Sequence, residues 1–290
     1  MVIVGNICET AKAFERECEN GLLSGFASAQ KTKLLYQSKK TSDLDETYFS
    51  QRLLFMFADL RLNAISVIFP TEGYTGADIE IHVLLKYGGW CGLRLQAKRA
   101  VFEYGKLYFR ELAHPKETGK QNGKLFQSSL DSDMVPLYLY YIPSNLVDEL
   151  KGEFSISGAM VGSAWNANQF IEAGVTSAKS VIYGNTITLS SILCPLDTND
   201  RHFVQRLENL FLDHIEDIEQ EAALDADLDE AYPEFYETEA PVLHKTNPFR
   251  IAKSVPEDVA RYFMDGVQPR VQEGQEHCGA ILINRLLFSD

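Results

Sequence analysis

The amino-acid sequence predicts an α/β protein, a mixed central sheet flanked by helices with elaborations toward its C-terminal end, and three stretches carry that expectation. In "SDLDETYFSQRLLFMFADLRL", Phe49, Leu53, Leu54, Met56 and Phe57 recur at helical spacing behind residues suited to an N-cap, so a buried amphipathic helix starts near Asp45. "ADIEIHVLL" and "CGLRLQAKR" alternate apolar and polar residues on either side of "KYGGW", where Gly88 and Gly89 offer the positive φ of a tight turn. "VPLYLYYIP" is almost continuously apolar, as suits a strand covered on both faces.

The other elements fall around these. "ETAKAFERECENGLL" reads as helix and "SAQKTKLLYQSKKTSD" as polar and irregular. "NAISVIFP" is a β-branched strand closed by Pro70. "GKLYFREL" is a short strand, "HPKETGKQNGK" a loop, and "LFQSSLDSD" a short helix leading into "VPLYLYYIP". Helices are expected over about 200–222 and in "PEDVARYFMDG", separated by an acidic linker, with a last strand in "GAILINRLLF". This divides the chain into an N-terminal helical extension (1–44), a core (45–200) and a helical, acidic region (201–290) whose final strand packs on the core. No internal repeat is present.

A chain of 290 residues with 45% hydrophobic content can bury a sizeable core. No run approaches the roughly 18 to 20 apolar residues of a membrane span, and "MVIVGNICETAK" lacks the pattern of a secretory signal, so a cytoplasmic protein without membrane contact is expected. Cys8, Cys18, Cys91, Cys194 and Cys278 are odd in number and scattered, which argues against a disulfide framework and structural zinc.

The net charge of −14 argues at first against a nucleic-acid partner. Its distribution reverses the argument. Residues 1–150 hold 17 Lys and Arg against 18 Asp and Glu, whereas residues 151–290 hold 10 against 23. Within the first half, Lys86 to Lys124 carries nine basic and three acidic residues. Asp213 to Glu239 carries twelve acidic residues and no Lys or Arg, which reads as a solvated face and linker, or as a screen over the basic segment.

Alternation places Asp78, Glu80 and His82 on one face of the first hairpin strand and Arg94, Gln96 and Lys98 on the matching face of the second. Two chemistries suit that row. One is cross-strand pairing of acid with base on a solvated surface. The other is phosphodiester hydrolysis, in which oxygen ligands such as Asp78, the Gln96 amide and the Ala97 carbonyl hold a divalent cation, while Lys98 lowers the pKa of a water and offsets transition-state charge.

The succession of a helical Glu, then "GADIE", then a hairpin into "LQAK", then a helix and an apolar strand resembles the PD-(D/E)XK, or restriction-endonuclease-like, superfamily over residues 45–145, with a looser likeness in "SSILCPL". It is most similar to the Mrr-type branch, in which glutamine replaces the acid of the second half-motif, and "TGADIEI", "GLRLQAKR" and "PLYLYYIP" look like an uncharacterised bacterial defence-associated family of that kind. The resemblance implies a restriction-endonuclease-like sheet. It implies Asp78 as a metal ligand, Gln96 and Lys98 as the second half-motif, and Glu46 from the preceding helix as a further ligand or water positioner, with Glu72 competing for that role. Glu80 shares the face of Asp78 and is another candidate ligand, and Gln127 matches a position where related nucleases set a polar residue near the site.

The sequence departs from the common pattern at Ala77, where proline is usual, and at Gln96, which removes one negative charge and suggests a lower metal affinity or a preference for Mn2+. The function expected is therefore that of a metal-dependent endonuclease acting on DNA, in antiviral defence or restriction. Lys106, Lys116, Lys120 and Lys124 would contact the backbone, and a homodimer or a separate sensor protein would supply control. A non-catalytic nucleic-acid-binding or assembly protein with a weakened site is the alternative. "GKQNGK" lacks the spacing of a phosphate loop, "VGSAW" lacks that of a serine hydrolase, and "DADLDEAYPEFY" lacks the glycine of an EF-hand.

Overall fold

The structure, a computed structural model, describes residues 6–36, 46–58, 65–85, 90–103, 106–113, 115–143, 157–183, 185–212 and 281–282. A long helix α1 (Ile7–Tyr36) is followed by α2 (Glu46–Ala58) and β1 (Ile65–Ile68). A single turn α3 (Glu72–Thr75) leads into the hairpin β2 (Ile79–Leu84) and β3 (Trp90–Arg99). A small ribbon of β4 (Val101–Glu103) and β5 (Lys106–Tyr108) and a 3-10 turn at Arg110–Ala113 precede α4 (Pro115–Asp131) and β6 (Met134–Tyr141). The chain continues through β7 (Ala159–Ser163), α5 (Ala164–Ala173), α6 (Ala178–Ile182), β8 (Thr186–Thr188), α7 (Leu189–Leu193), a 3-10 turn at Cys194–Asp197 and α8 (Asp200–Leu212), and β9 (Ile281–Leu282) is its last described element.

Seven strands form one mixed sheet in the order β8-β7-β6-β3-β2-β1-β9. β1, β2 and β3 make an antiparallel meander, and β6 runs parallel to β3 after the α4 crossover. β6 is buried along its whole length, as its unbroken apolar run requires. Its two faces are closed by different helices: Tyr141 packs against Phe14 of α1 and Phe49 of α2, while Tyr140, on the opposite face, packs against Phe109. Phe109 leads into the 3-10 turn that lies with α4 and α5, so the Tyr140 face is the one those two helices cover.

Three expectations are corrected. The helix expected to end near Leu23 runs on to Tyr36. From Pro115 on, "HPKETGKQNGK" is the first half of α4 and not a loop: Pro115 occupies the first helical position, where its missing N–H costs nothing, and burial of Leu125, Phe126 and Asn122 outweighs the poor propensity of Gly119 and Gly123. Lys116, Lys120 and Lys124 therefore stand on a helix. Cys8 and Cys194 are joined in a disulfide that ties the start of α1 to the turn after α7, and the Cys8 N–H donates to Asp197 Oδ2 beside it (2.9 Å). Such a bond runs against the expectation of a reducing, cytoplasmic setting. No helix among the described residues is long and apolar enough to cross a membrane.

The expected helix at about 200–222 is described as far as Leu212, and the acidic stretch and "PEDVARYFMDG" lie outside the described residues. The final strand falls within "GAILINRLLF" and pairs with β1, with Val67 opposite Ile281.

Candidate functional site

β2 and β3 pair only as far as Ile79 opposite Leu95, yet β3 continues to Arg99. Along the edge left open, backbone N–H groups have no strand to bond, and carboxylates take them instead. The Ala97 N–H donates to Asp78 Oδ2 at 2.7 Å, and the Arg99 N–H donates to Glu46 Oε1 at 2.7 Å. The Asp78 N–H donates back to the Leu95 carbonyl at 2.9 Å. Asp78 and Glu46, far apart in sequence, thus each take an N–H group on the same edge of one strand. Those two donors are two residues apart, so the bonded oxygens lie about 7 Å apart along the strand.

The Gln96 side chain completes the group, because its Nε2 donates to Asp78 Oδ2 and to the Ala97 carbonyl (3.3 Å). Gln96 is 1% exposed, and its Oε1 has no hydrogen-bond partner among the described residues. Tyr138, its register partner on β6, is fully buried with its hydroxyl in the same condition. Burial, with the Asp78 charge adding to it, pushes the Tyr138 hydroxyl far above the usual tyrosine range, so this phenol stays protonated and remains a donor. Lys98, two residues along the same face, is 5% exposed, and Asp78 is half-buried.

The polar face of the hairpin is not solvated. Glu80, His82 and Arg94 are all buried, and they bond to one another through the Glu80 carboxylate. Arg94 Nε and Nη2 both donate to Glu80 Oε1 (2.7 and 2.6 Å), and Glu80 Oε2 meets His82 Nε2 at 3.2 Å. Burial alone would raise the Glu80 pKa, but the His82 hydrogen bond and the Arg94 charge outweigh it and hold the carboxyl below its ordinary range. Glu80, expected as a further ligand, has both oxygens engaged inside the fold.

α4 is fastened over the entry to this site by polar contacts with the α3 turn. Gln121 Nε2 donates to Glu72 Oε1, Lys124 Nζ to the Gly73 carbonyl (2.8 Å), and Ser128 Oγ to the Thr75 carbonyl (2.8 Å). Gly76 makes the approach possible. Its φ is 68°, and a Cβ there would come within 2.3 Å of the Gln121 carbonyl oxygen. Gly76→Ala is accordingly expected to cost about 2–3 kcal/mol through left-handed strain and overpacking, read as a lower midpoint in urea unfolding. An unchanged midpoint would refute this packing.

The structure therefore brings Asp78, Gln96, the Ala97 backbone and Glu46 to one strand end, with Lys98 beside them. Glu72 is exposed and faces α4, and Gln127 is exposed and donates to Asp131 Oδ1 (2.8 Å). Lys106 is exposed on β5 and Lys124 on α4, while the side chains of Lys116 and Lys120 lie outside the described part of α4. Sequence reading passed over Tyr138 as plain core. The signal that could have found it was its place in the strand running beside the Gln-x-Lys strand. Among the described residues no three His, Cys, Asp or Glu side chains cluster as a metal site.

A family model described as a family of unknown function, DUF6615, matches residues 22–277. No curated protein and no solved structure matches the chain.

Proposed function

We propose that this chain, which belongs to the family of unknown function DUF6615, is a metal-dependent nuclease that hydrolyses phosphodiester bonds of DNA through a restriction-endonuclease-like core. The observation that carries the reading is the meeting of Asp78 Oδ2 with the Gln96 amide and the Ala97 N–H at the open end of β3. The antiparallel β1-β2-β3 meander with β6 parallel to β3 supports the finer fold assignment.

The donor set suits a hard cation such as Mg2+ or Mn2+. Asp78 offers a carboxylate, and a half-turn of the Gln96 amide about its last bond would bring the unsatisfied Oε1 to the Asp78 side in place of Nε2. Two protein oxygens are few, but Mg2+ characteristically keeps several of its waters. When bound, the cation would polarise the phosphoryl oxygens and favour ionisation of a water. Glu46, held on the same strand by the Arg99 N–H, is a further ligand or a water positioner in this reading. Lys98, fixed on the same strand, supplies positive charge where the transition state gathers negative charge. Glu80 is left out of the ligand set, since Arg94 and His82 hold it. A role in antiviral defence or restriction, under the control of a dimer partner or a sensor protein, is part of the same proposal.

The test is incubation of the purified chain with supercoiled plasmid in Mg2+, in Mn2+ and in EDTA, alongside Asp78→Ala and Lys98→Ala. Nicking or linearisation should require a metal, and each substitution should slow it by about a hundredfold or more, the scale of a lost charge-stabilising or proton-transfer group. Cleavage that survives both substitutions would sink the site. Binding without cleavage under either metal would favour a non-catalytic nucleic-acid-binding protein.

A further inference from the structure

The chemistry of the proposed site is recessed, and the turn that leads into Asp78 displays an aromatic ring. Gln96 and Lys98 lie below the surface, whereas Tyr74, on the α3 turn four residues before Asp78, is 66% exposed. A single exposed tyrosine is ordinary. This one differs in how it is held. The Thr75 hydroxyl donates to the Thr71 carbonyl (3.2 Å), the Ala77 N–H donates to the Thr75 hydroxyl (3.2 Å), and Lys124 and Ser128 of α4 grip the carbonyls of Gly73 and Thr75. Gly76 packs directly on the α4 backbone. The turn is fixed from both sides, while a Cβ added at Gly73 would meet nothing within 4 Å, so its outer side is open.

Charge around the turn separates two kinds of contact. The Glu72 carboxylate, exposed at the tip, repels phosphate, so the tip suits the uncharged face of a base. Lys124, exposed one step away on α4, suits the backbone. A base offers its face to a ring only where it is not already stacked between neighbours in a duplex, and a recessed reacting group is reached by one strand more readily than by two.

From these features we infer that the site acts on single-stranded or locally unpaired nucleic acid, with Tyr74 as the platform on which a base next to the scissile phosphate stacks. The inference rests on the nuclease reading for its substrate role, but the surface itself can be tested without any cleavage.

Anisotropy with a fluorescent 20-mer deoxyoligonucleotide in EDTA provides that test. It compares the single strand, the same strand in a blunt duplex, and a strand of abasic sites, for the unaltered chain, Tyr74→Ala and Tyr74→Phe. Stacking of this kind predicts about tenfold tighter binding of the single strand than of either control, a loss of about tenfold in Tyr74→Ala for the single strand alone, and retention in Tyr74→Phe. Circular dichroism melting of each variant checks that the exposed position leaves the fold intact. Equal affinity for duplex and single strand, indifference to Tyr74→Ala, or no binding of the single strand would each overturn the inference. Cleavage of the same oligonucleotides in Mg2+ and Mn2+ separates the two proposals. Tyr74-dependent binding with no cleavage defeats the nuclease reading and leaves the surface, whereas Asp78-dependent cutting of duplex that ignores Tyr74 does the reverse.

Discussion

Arg94→Met is expected to destabilise the fold by about 3–5 kcal/mol, because it leaves the Glu80 carboxylate buried with only His82 beside it. The size follows from burial. Glu80 and Arg94 stand directly opposite each other on β2 and β3, both almost wholly inside. Removing both charges is a milder change than removing one, so adding Glu80→Gln, which keeps a partner for His82, should recover most of the loss. Urea unfolding followed by circular dichroism measures both. The pH dependence should also change. In the unaltered chain Glu80 has its pKa depressed on folding, so its stabilisation is present above the ordinary carboxylate range and is lost as pH falls through the folded value. Without Arg94 two of the causes that hold the folded pKa down are gone, so that pKa rises and Arg94→Met should lose less stability on acidification than the parent. A variant that loses stability in parallel with the parent on acidification would show that the pair is not the buried, coupled unit described.

This pair bears on the proposed chemistry because it locks β2 to β3 one step before Asp78 and Gln96 meet. A one-residue slip in strand register would move every side chain of the strand to the opposite face. Opposed charges at Glu80 and Arg94 specify one register, and Asp78 then falls where the Ala97 N–H is free.

Much of this was legible in the sequence, and the reasons are local. The hairpin, the buried β6 and α2 each satisfy one strong periodicity, and tertiary packing agrees with it. The meeting of Asp78 with Gln96 follows from the hairpin register alone. What periodicity cannot show is what lies across a face. The polar row of β2 and β3 read equally as solvated, yet it is buried, and α4 packs against β3 and β6. α4 itself was hidden because Gly119, Gly123 and three lysines read as a loop, while the polar contacts that hold the helix depend on residues such as Gly73 and Thr75, some fifty positions away. The segment from β7 to β8 carried no motif, and its strands were not anticipated. The disulfide was missed for a similar reason: Cys8 and Cys194 are 186 residues apart, and no spacing rule connects them.

That same separation makes the disulfide the other large expected effect. Closing a loop of this length removes so much freedom from the unfolded chain that, in the chain-entropy account, it stabilises the fold by about 5 kcal/mol. Cys8→Ser, or reduction by a phosphine, should therefore lower the urea midpoint sharply, and the two treatments together should add nothing. The damage should begin at α1. Its other ties include a hydrogen bond from Arg52 of α2 to Glu17, the Phe14–Tyr141 contact, and the buried Glu15 carboxylate, which accepts a hydrogen bond from the Ser190 hydroxyl (3.0 Å) and another from the Ser190 N–H at the start of α7. Cys18, buried in the middle of this helix with its thiol pushed well above the usual range by burial, reports on the opening. It should resist a thiol reagent in the oxidised protein and react once the bond is cut, before global unfolding. Since α1 supports α2, and α2 carries Glu46 to the Arg99 N–H, cleavage should weaken along with that loosening while single-strand binding at Tyr74 persists. Free thiols at both Cys8 and Cys194 in the native, unreduced protein, or a midpoint indifferent to reduction, would show that the bond does not hold α1, whose packing and hydrogen bonds would then suffice.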